Sequence, residues 1–389
     1  MTGRARTDWV LVALVFVGGL LAAAQFGKVA LVLPEIAAAL DRGLPQVALL
    51  VSTVGLMGLL LGPMAGGIAG ALGTGRTFLG GLVLGGALSV LQALGPGYAV
   101  LAASRVVEGL AHLALVVAGP PLMAAAASDR DRPAVMGIWA VFFGASLAIS
   151  SQLFPAVLAA GGLPLLWLGH GLALILLAAG LWRRVPRGPV ARVALNPVAV
   201  HRAIYGSIRA MAPGLGFVWY TFLFVAGVAI LPLALGRPDL ATALPLVTLL
   251  TTLAGGALCR RFAPHRVCAL GYLGTAVGAA MALAGLPLGV ELSFAAMGLV
   301  PGASFAAIPA WNATDLTRTR ATGAIAQLGN LGTVTGTPVL TLVYAATGTA
   351  GLLWLVAGTA LAGAVAALWS GRRAAAAAGA GSQAAGGGA

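Results

Sequence analysis

Apolar residues in this chain come in long runs, separated by short polar or Gly/Pro-bearing breaks. A helix that crosses a bilayer needs about 20 apolar residues. Runs near that length lie at 10–34, 47–66, 77–95, 98–126, 134–157, 163–182, 209–233, 240–258, 267–286, 290–311, 322–345 and 350–369, which predicts twelve membrane spans. The third and fourth are divided by little more than Gly95-Pro96-Gly97. Period-2 alternation is not seen, which argues against a β-barrel. The first run follows Arg4 and Arg6 and contains Ala22-Ala23-Ala24, as a secretory signal does. It continues to Pro34 and a bundle follows, so it reads as a retained first span.

Composition turns this pattern into a class. Of 389 residues, 60% are hydrophobic and 8% charged, where a soluble domain carries roughly 25% charged residues. The mean hydropathy is +1.01. The 57 glycines suit helices that approach closely inside lipid. The expectation is an all-α membrane protein of twelve transmembrane helices in the cytoplasmic (inner) membrane.

The net charge of +13 raises nucleic acid as a partner, but the placement of the cations removes it. With the N-terminus inside, the inner loops and ends hold Arg4, Arg6, Arg76, Arg130, Arg132, Arg183, Arg184, Arg187, Arg192, Arg202, Arg209, Arg260, Arg261, Arg266, Arg318, Arg320, Arg372 and Arg373, or 18 of the 22 cations. Only Arg42 and Arg237 fall outside. That asymmetry predicts both termini in the cytoplasm. Cys259 and Cys268 suggest neither a disulfide framework nor a metal site. The Gly-rich runs match no phosphate loop, and no nucleophile is set beside a base, so no cofactor and no enzyme activity are expected.

The longest linker, with Pro186, Pro189 and Pro197, divides six spans from six. The expected domains are a six-helix half at 1–182, a basic cytoplasmic linker at 183–208, a second half at 209–369 and an unstructured Ala/Gly tail at 370–389. The halves read as repeats. The stretch from Gly66 to Arg76 recurs as Gly256 to Arg266 at an offset of 190, and Asp129–Gly137 recurs as Asp315–Gly323 at an offset of 186. Parallel six-span repeats are a known transporter architecture.

Three charged residues lie within spans: Lys28 in the first, Arg105 and Glu108 in the fourth. Charge at that depth is costly, so each is a functional candidate by default. At about 1.5 Å per residue, they lie about 9, 10 and 15 Å from the outer ends of their spans. Two cations against one acid would favour an anionic ligand, with Gln25 on the face of Lys28 as a hydrogen-bond donor. The alternative is a Lys28–Glu108 ion pair with Arg105 on carbonyls and no ligand in contact. Glu108 and His112, four residues apart, are the proton-coupling candidates; His170 reads as structural. In the second half the candidates are Tyr220, Gln327 and Asn330.

These motifs resemble the major facilitator superfamily over nearly the whole chain. That family's loop between spans 2 and 3 reads Gly-x-x-x-Asp-Arg-x-Gly-x-x-Arg or similar. Gly66, Gly73 and Arg76 match it, while Gly70 stands at the acidic position and Ala71 at the first basic one. The second copy keeps Arg261 and has Arg260 at the acidic position. The resemblance assigns these six residues (Gly66, Gly70, Gly73, Arg76, Arg260 and Arg261) to conformational gating. The Arg105–Gly109 pair fits the family's fourth span, whereas Ser150-Ser151-Gln152 replaces its antiporter pattern in the fifth. Gly27-Lys28-Val29 and Arg105-Val106-Val107-Glu108-Gly109 are similar to the cyanate-permease-like and nitroimidazole-transporter-like branch. The resemblance implies a monomeric secondary transporter working by alternating access in the bilayer, on a small anionic or polar organic solute bound by Lys28 and Arg105, with protons as a candidate coupling partner. Proton-linked drug efflux through Glu108 and a non-transporting sensor or assembly partner are the competing readings.

Overall fold

The computed structural model describes residues 6–185 and 196–386. Arg4, Pro186, Arg187, Pro189 and Arg192 lie outside the described residues. Every regular element among those described is a helix, which is the economical answer to backbone polarity inside lipid. Among the described residues, ten helical stretches are long and apolar enough to cross a membrane. Two of these are broken inside. Phe142–Leu181 turns at Gly162 (φ 65, ψ −161) and Asp315–Gly386 turns at Gly348 (φ 68, ψ −164). Only glycine adopts that backbone readily. Counting the legs separately is consistent with the twelve predicted spans. The two breaks are 186 residues apart (348 less 162), the same offset as the second loop repeat.

The chain forms two compact units, one of Met1–Gly58 with Ala65–Leu195, the other of Leu59–Met64 with Asn196–Ala389. In the first, the helices are α1 (Trp9–Ala30), α2 (Leu33–Leu40), α3 (Leu44–Ser52), α4 (Gly55–Leu72), α5 (Thr74–Ala93), α6 (Tyr98–Ala126), α7 (Arg132–Ala140) and α8 (Phe142–Leu181); α4 also supplies the short segment of the second unit. Asp8 caps α1 by accepting from the Leu11 amide, which satisfies one of the orphan donors at a helix start. The predicted break between the third and fourth runs is present, with Gly95 at φ 66. The predicted fifth span begins in α7 and continues in α8 after a break at Val141. The core joins Leu11, Val15, Phe78, Leu115, Trp139 and Leu174.

The second unit holds α9 (Pro197–Tyr205), α10 (Ile208–Leu235), α11 (Leu240–Leu258), α12 (Pro264–Leu283), α13 (Gly289–Met297), α14 (Leu299–Trp311) and α15 (Asp315–Gly386). Here glycines set the helix spacing. A Cβ at Gly332 or Gly336 of α15 would collide with the α10 backbone around Val218 and Phe222. Helix α15 runs on to Gly386, through residues whose composition predicts no structure.

Candidate functional site

The first unit encloses an ion cluster built by five helices. Lys28 closes the last turn of α1. Its Nζ lies 2.7 Å from Glu108 Oε1 and donates to Ser89 Oγ at 2.8 Å and Gln92 Oε1 at 2.7 Å. Three partners account for the three protons of an ammonium. Arg105 and Glu108 sit one turn apart on α6, with Nη1 2.6 Å from Glu108 Oε2. The rest of the guanidinium donates to backbone, Nη2 to Gln25 O at 2.7 Å and Nε to Leu50 O at 3.2 Å. Lys28, Arg105 and Glu108 are each 0% exposed. The ion pair and the carbonyl bonds are the arrangement that the sequence sets beside the ligand reading.

A ring of neutral groups completes the cluster. Gln92 Nε2 donates to Glu108 Oε2 at 2.9 Å and to Ser104 Oγ at 3.1 Å. Ser89 Oγ lies 2.8 Å from Trp167 O and 3.1 Å from His170 Nδ1, and His170 Nε2 lies 3.0 Å from Leu21 O. A carbonyl can only accept, so His170 Nε2 carries a proton and Ser89 gives its single hydroxyl proton to Trp167 O, which leaves none for His170 Nδ1. Sequence reasoning missed Ser89, Gln92 and Ser104. The available signal was Ser89 and Gln92 themselves, two polar residues three apart in an otherwise apolar run, hence on one helix face.

Desolvated charge is tolerable only when paired and hydrogen-bonded. Two cations share one carboxylate here, so the cluster keeps one positive charge. No second carboxylate among the described residues pairs with it.

The other sequence candidates fall in separate places. Gln25 lies at the edge of the cluster, 0% exposed, with neither carboxamide atom hydrogen-bonded among the described residues; its Nε2 is 2.6 Å from where a Cβ on Gly85 would stand. Half-buried His112 meets Ala22 O through Nδ1 at 2.9 Å and stands edge-on to Phe26. In the second unit, Tyr220 is buried in a stack between Phe217 and Phe224. Gln327 takes a hydrogen bond from Tyr205 Oη at 2.9 Å and donates to Leu59 O at 3.0 Å. Asn330 bonds Ala326 O of its own helix at 2.8 Å. These three make no hydrogen bond to one another among the described residues.

Of the residues assigned to gating, Gly66 and Gly70 lie inside α4 and Arg76 inside α5, with only Gly73 between the two helices; a Cβ on Gly66, Gly70 or Gly73 would meet nothing within 4 Å. Gly73 has φ +88, a conformation that explains its presence better than packing does. Arg76, Arg260 and Arg261 are exposed.

Membrane-crossing helices in two units, one of them enclosing buried ions, define a polytopic membrane protein of the transporter kind. A model of the Major Facilitator Superfamily matches residues 15–236, over half of the chain, and the chain belongs to that superfamily. Among solved structures, the fold is similar to that of a bacterial homologue of the human lysosomal transporter Spinster, in an inward-facing and unoccupied conformation. The TM-score is 0.66 at 16% identity, over 96% of either chain. No curated protein matches in sequence. Family and fold together support secondary transport by alternating access and point away from catalysis. They do not extend to the cyanate-permease-like or nitroimidazole-transporter-like branch.

Proposed function

We propose that this transporter moves a small anionic or polar organic solute across the cytoplasmic membrane. The observation that carries the reading is the residual positive charge of the Lys28–Arg105–Glu108 cluster, shielded from water and left without a second carboxylate. In a low-dielectric surrounding such a charge acts over a longer range than it does in water. It favours an anion near the wall that the cluster backs, and an anion exchanged for one of the present partners would complete the pairing. Lys28 and Arg105 are the binding cations, Gln25 is the neutral donor beside them, and Glu108 sets the net charge. His112, partly open and one turn from Glu108, is the group through which we place proton coupling. Tyr220, Gln327 and Asn330 are the second half's contribution to solute contact. The same reading sets six-helix halves at 1–182 and 209–369, joined by the basic linker at 183–208. The chain works as a monomer with both termini in the cytoplasm, and the paired glycine–arginine stretches at 66–76 and 256–266 serve gating.

Uptake of small anions into proteoliposomes tests this reading. Lys28→Gln removes the residual charge and leaves the Arg105–Glu108 pair, so anion flux should fall at least tenfold while the protein inserts and folds. Arg105→Gln should abolish flux. Wild-type anion flux in both variants overturns the anion reading. Movement of lipophilic cations that requires Glu108 replaces it with drug efflux, and binding without flux of any solute replaces it with a sensor.

A further inference from the structure

A second polar feature lies outside the cluster, at the arginine-rich end of α12 and α15. Helix α12 begins at Pro264 without a side-chain cap and without an acid in its first turn. A helix start of that kind favours an anion. His265, the next residue, is 8% exposed, and its Nδ1 has no hydrogen-bond partner among the described residues. A buried ring nitrogen without a partner is a costly arrangement in a finished protein. The His265 side chain packs on Gly371 of α15, its Cβ and, at 3.2 Å, its Nδ1 close to where a Cβ on Gly371 would stand, so no larger residue fits at 371.

Cations gather around this ring. Arg266 follows His265 on α12, and Arg372 follows Gly371, which packs on the His265 side chain. Arg373 is held with its guanidinium carbon 4.7 Å from the centre of the Trp369 ring. None of the three forms an ion pair among the described residues. The adjoining surface is apolar and outward-facing. Trp369 is 51% exposed, Val365 67% and Leu270 58%. Gly371 packs on His265 and Gly363 on Tyr272, so α12 and α15 run antiparallel and bring Val365 and Trp369 opposite the stretch that holds Leu270. An exposed Trp between a basic end and an apolar strip marks the level of lipid headgroups.

We propose that this end of α12 and α15 binds the phosphate of an anionic phospholipid. Arg266 and Arg372 hold the phosphate at the α12 start, His265 Nδ1 supplies the inner hydrogen bond, and the Trp369 strip takes the acyl chains. Free phosphate shares the charged part of this chemistry but would leave the apolar strip unused. The inference stands apart from the identity of the transported solute.

The test uses the full chain in nanodiscs of phosphatidylcholine, with or without phosphatidylglycerol, read by lipid retention in native mass spectrometry and by melting temperature. Phosphatidylglycerol should be retained in preference and should raise the melting temperature. The pair Arg266→Gln/Arg372→Gln should lower retention about tenfold and leave melting in phosphatidylcholine alone unchanged. The pair Arg202→Gln/Arg209→Gln removes the same charge elsewhere and should keep the wild-type preference. Should the first pair disturb folding, Arg373→Gln on the exposed surface is the second variant, with a smaller loss expected. Equal losses in both pairs would mean diffuse attraction and overturn the site. Inorganic phosphate that stabilises the protein as well as the lipid does, and displaces it, would overturn the lipid assignment.

Discussion

The two units satisfy their buried polarity by different means. In the first, Lys28, Arg105 and Glu108 tie five helices through directional bonds that cross from one helix to another. In the second, no Lys, Arg, Asp or Glu is buried among the described residues. Its buried polar groups are neutral hydroxyls that bond partly within their own helix, as Thr341 does to Thr337 O, and partly across to a neighbour, as Ser293 does to Thr275 O, Thr248 to Phe294 O and Tyr272 to Gly216 O. The second unit relies as well on glycines that admit a neighbouring backbone, as in small-residue packing between membrane helices. Charge should therefore govern the first unit and volume the second.

The strongest test of that contrast is Glu108→Gln. It leaves two buried cations without a counter-charge, and breaking a buried pair costs roughly 3–5 kcal/mol. We expect a large loss of folded yield and melting temperature; a variant as stable as the wild type would show that the cluster does not hold the unit together. Lys28→Met leaves a neutral Arg105–Glu108 pair and should cost less, which separates charge from volume at one site.

In the second unit the matching experiment is Gly336→Ala. Its new Cβ would meet the Phe222 carbonyl, and overpacking of that kind costs about 1–3 kcal/mol. The melting temperature should fall without any change of charge. Unchanged melting would mean that α10 and α15 can part freely. A smaller effect is expected from Tyr272→Phe, which removes the hydroxyl that donates to Gly216 O at 2.6 Å and should cost about 1 kcal/mol in chemical denaturation. No measurable cost would remove that bond from the account of the unit.

The same contrast explains what was legible in the sequence. Span positions followed from hydropathy alone, because a bilayer imposes a length that soluble cores do not. The run at 240–258 coincides with α11. Arg105 and Glu108 announced themselves because charge inside an apolar run is conspicuous. Ser89 and Gln92 did not, although they complete the coordination of Lys28, because one serine or one amide is common in membrane helices. Nor could hydropathy show that Gln327 would be engaged by Tyr205 of α9, since a contact between residues 122 apart depends on packing. The glycine breaks at 162 and 348 were hidden among 57 glycines; only the positive φ singles them out.

The mildest prediction moves the contrast to the surface of the first unit, where charge acts in water. Asp131, ahead of α7, takes hydrogen bonds from Thr7 Oγ1 at 2.5 Å and Ser128 Oγ at 3.0 Å. Those two donors hold its carboxyl below the ordinary 3.8, with Arg130 adding a smaller push in the same direction. A carboxyl so shifted contributes stability that is complete above its unfolded value and is lost as pH falls through its folded one. The melting temperature should thus fall as the pH drops below 3.8, and Asp131→Asn should lose part of that acid-side slope while changing little at neutral pH. Thr7→Val should act in the same direction by removing the stronger donor. Because Asp131 is only partly buried, the effect should be far smaller than that of Glu108→Gln. If the two substitutions cost the same, burial would not be what makes the inner cluster matter, and the distinction between the units would fail at its base.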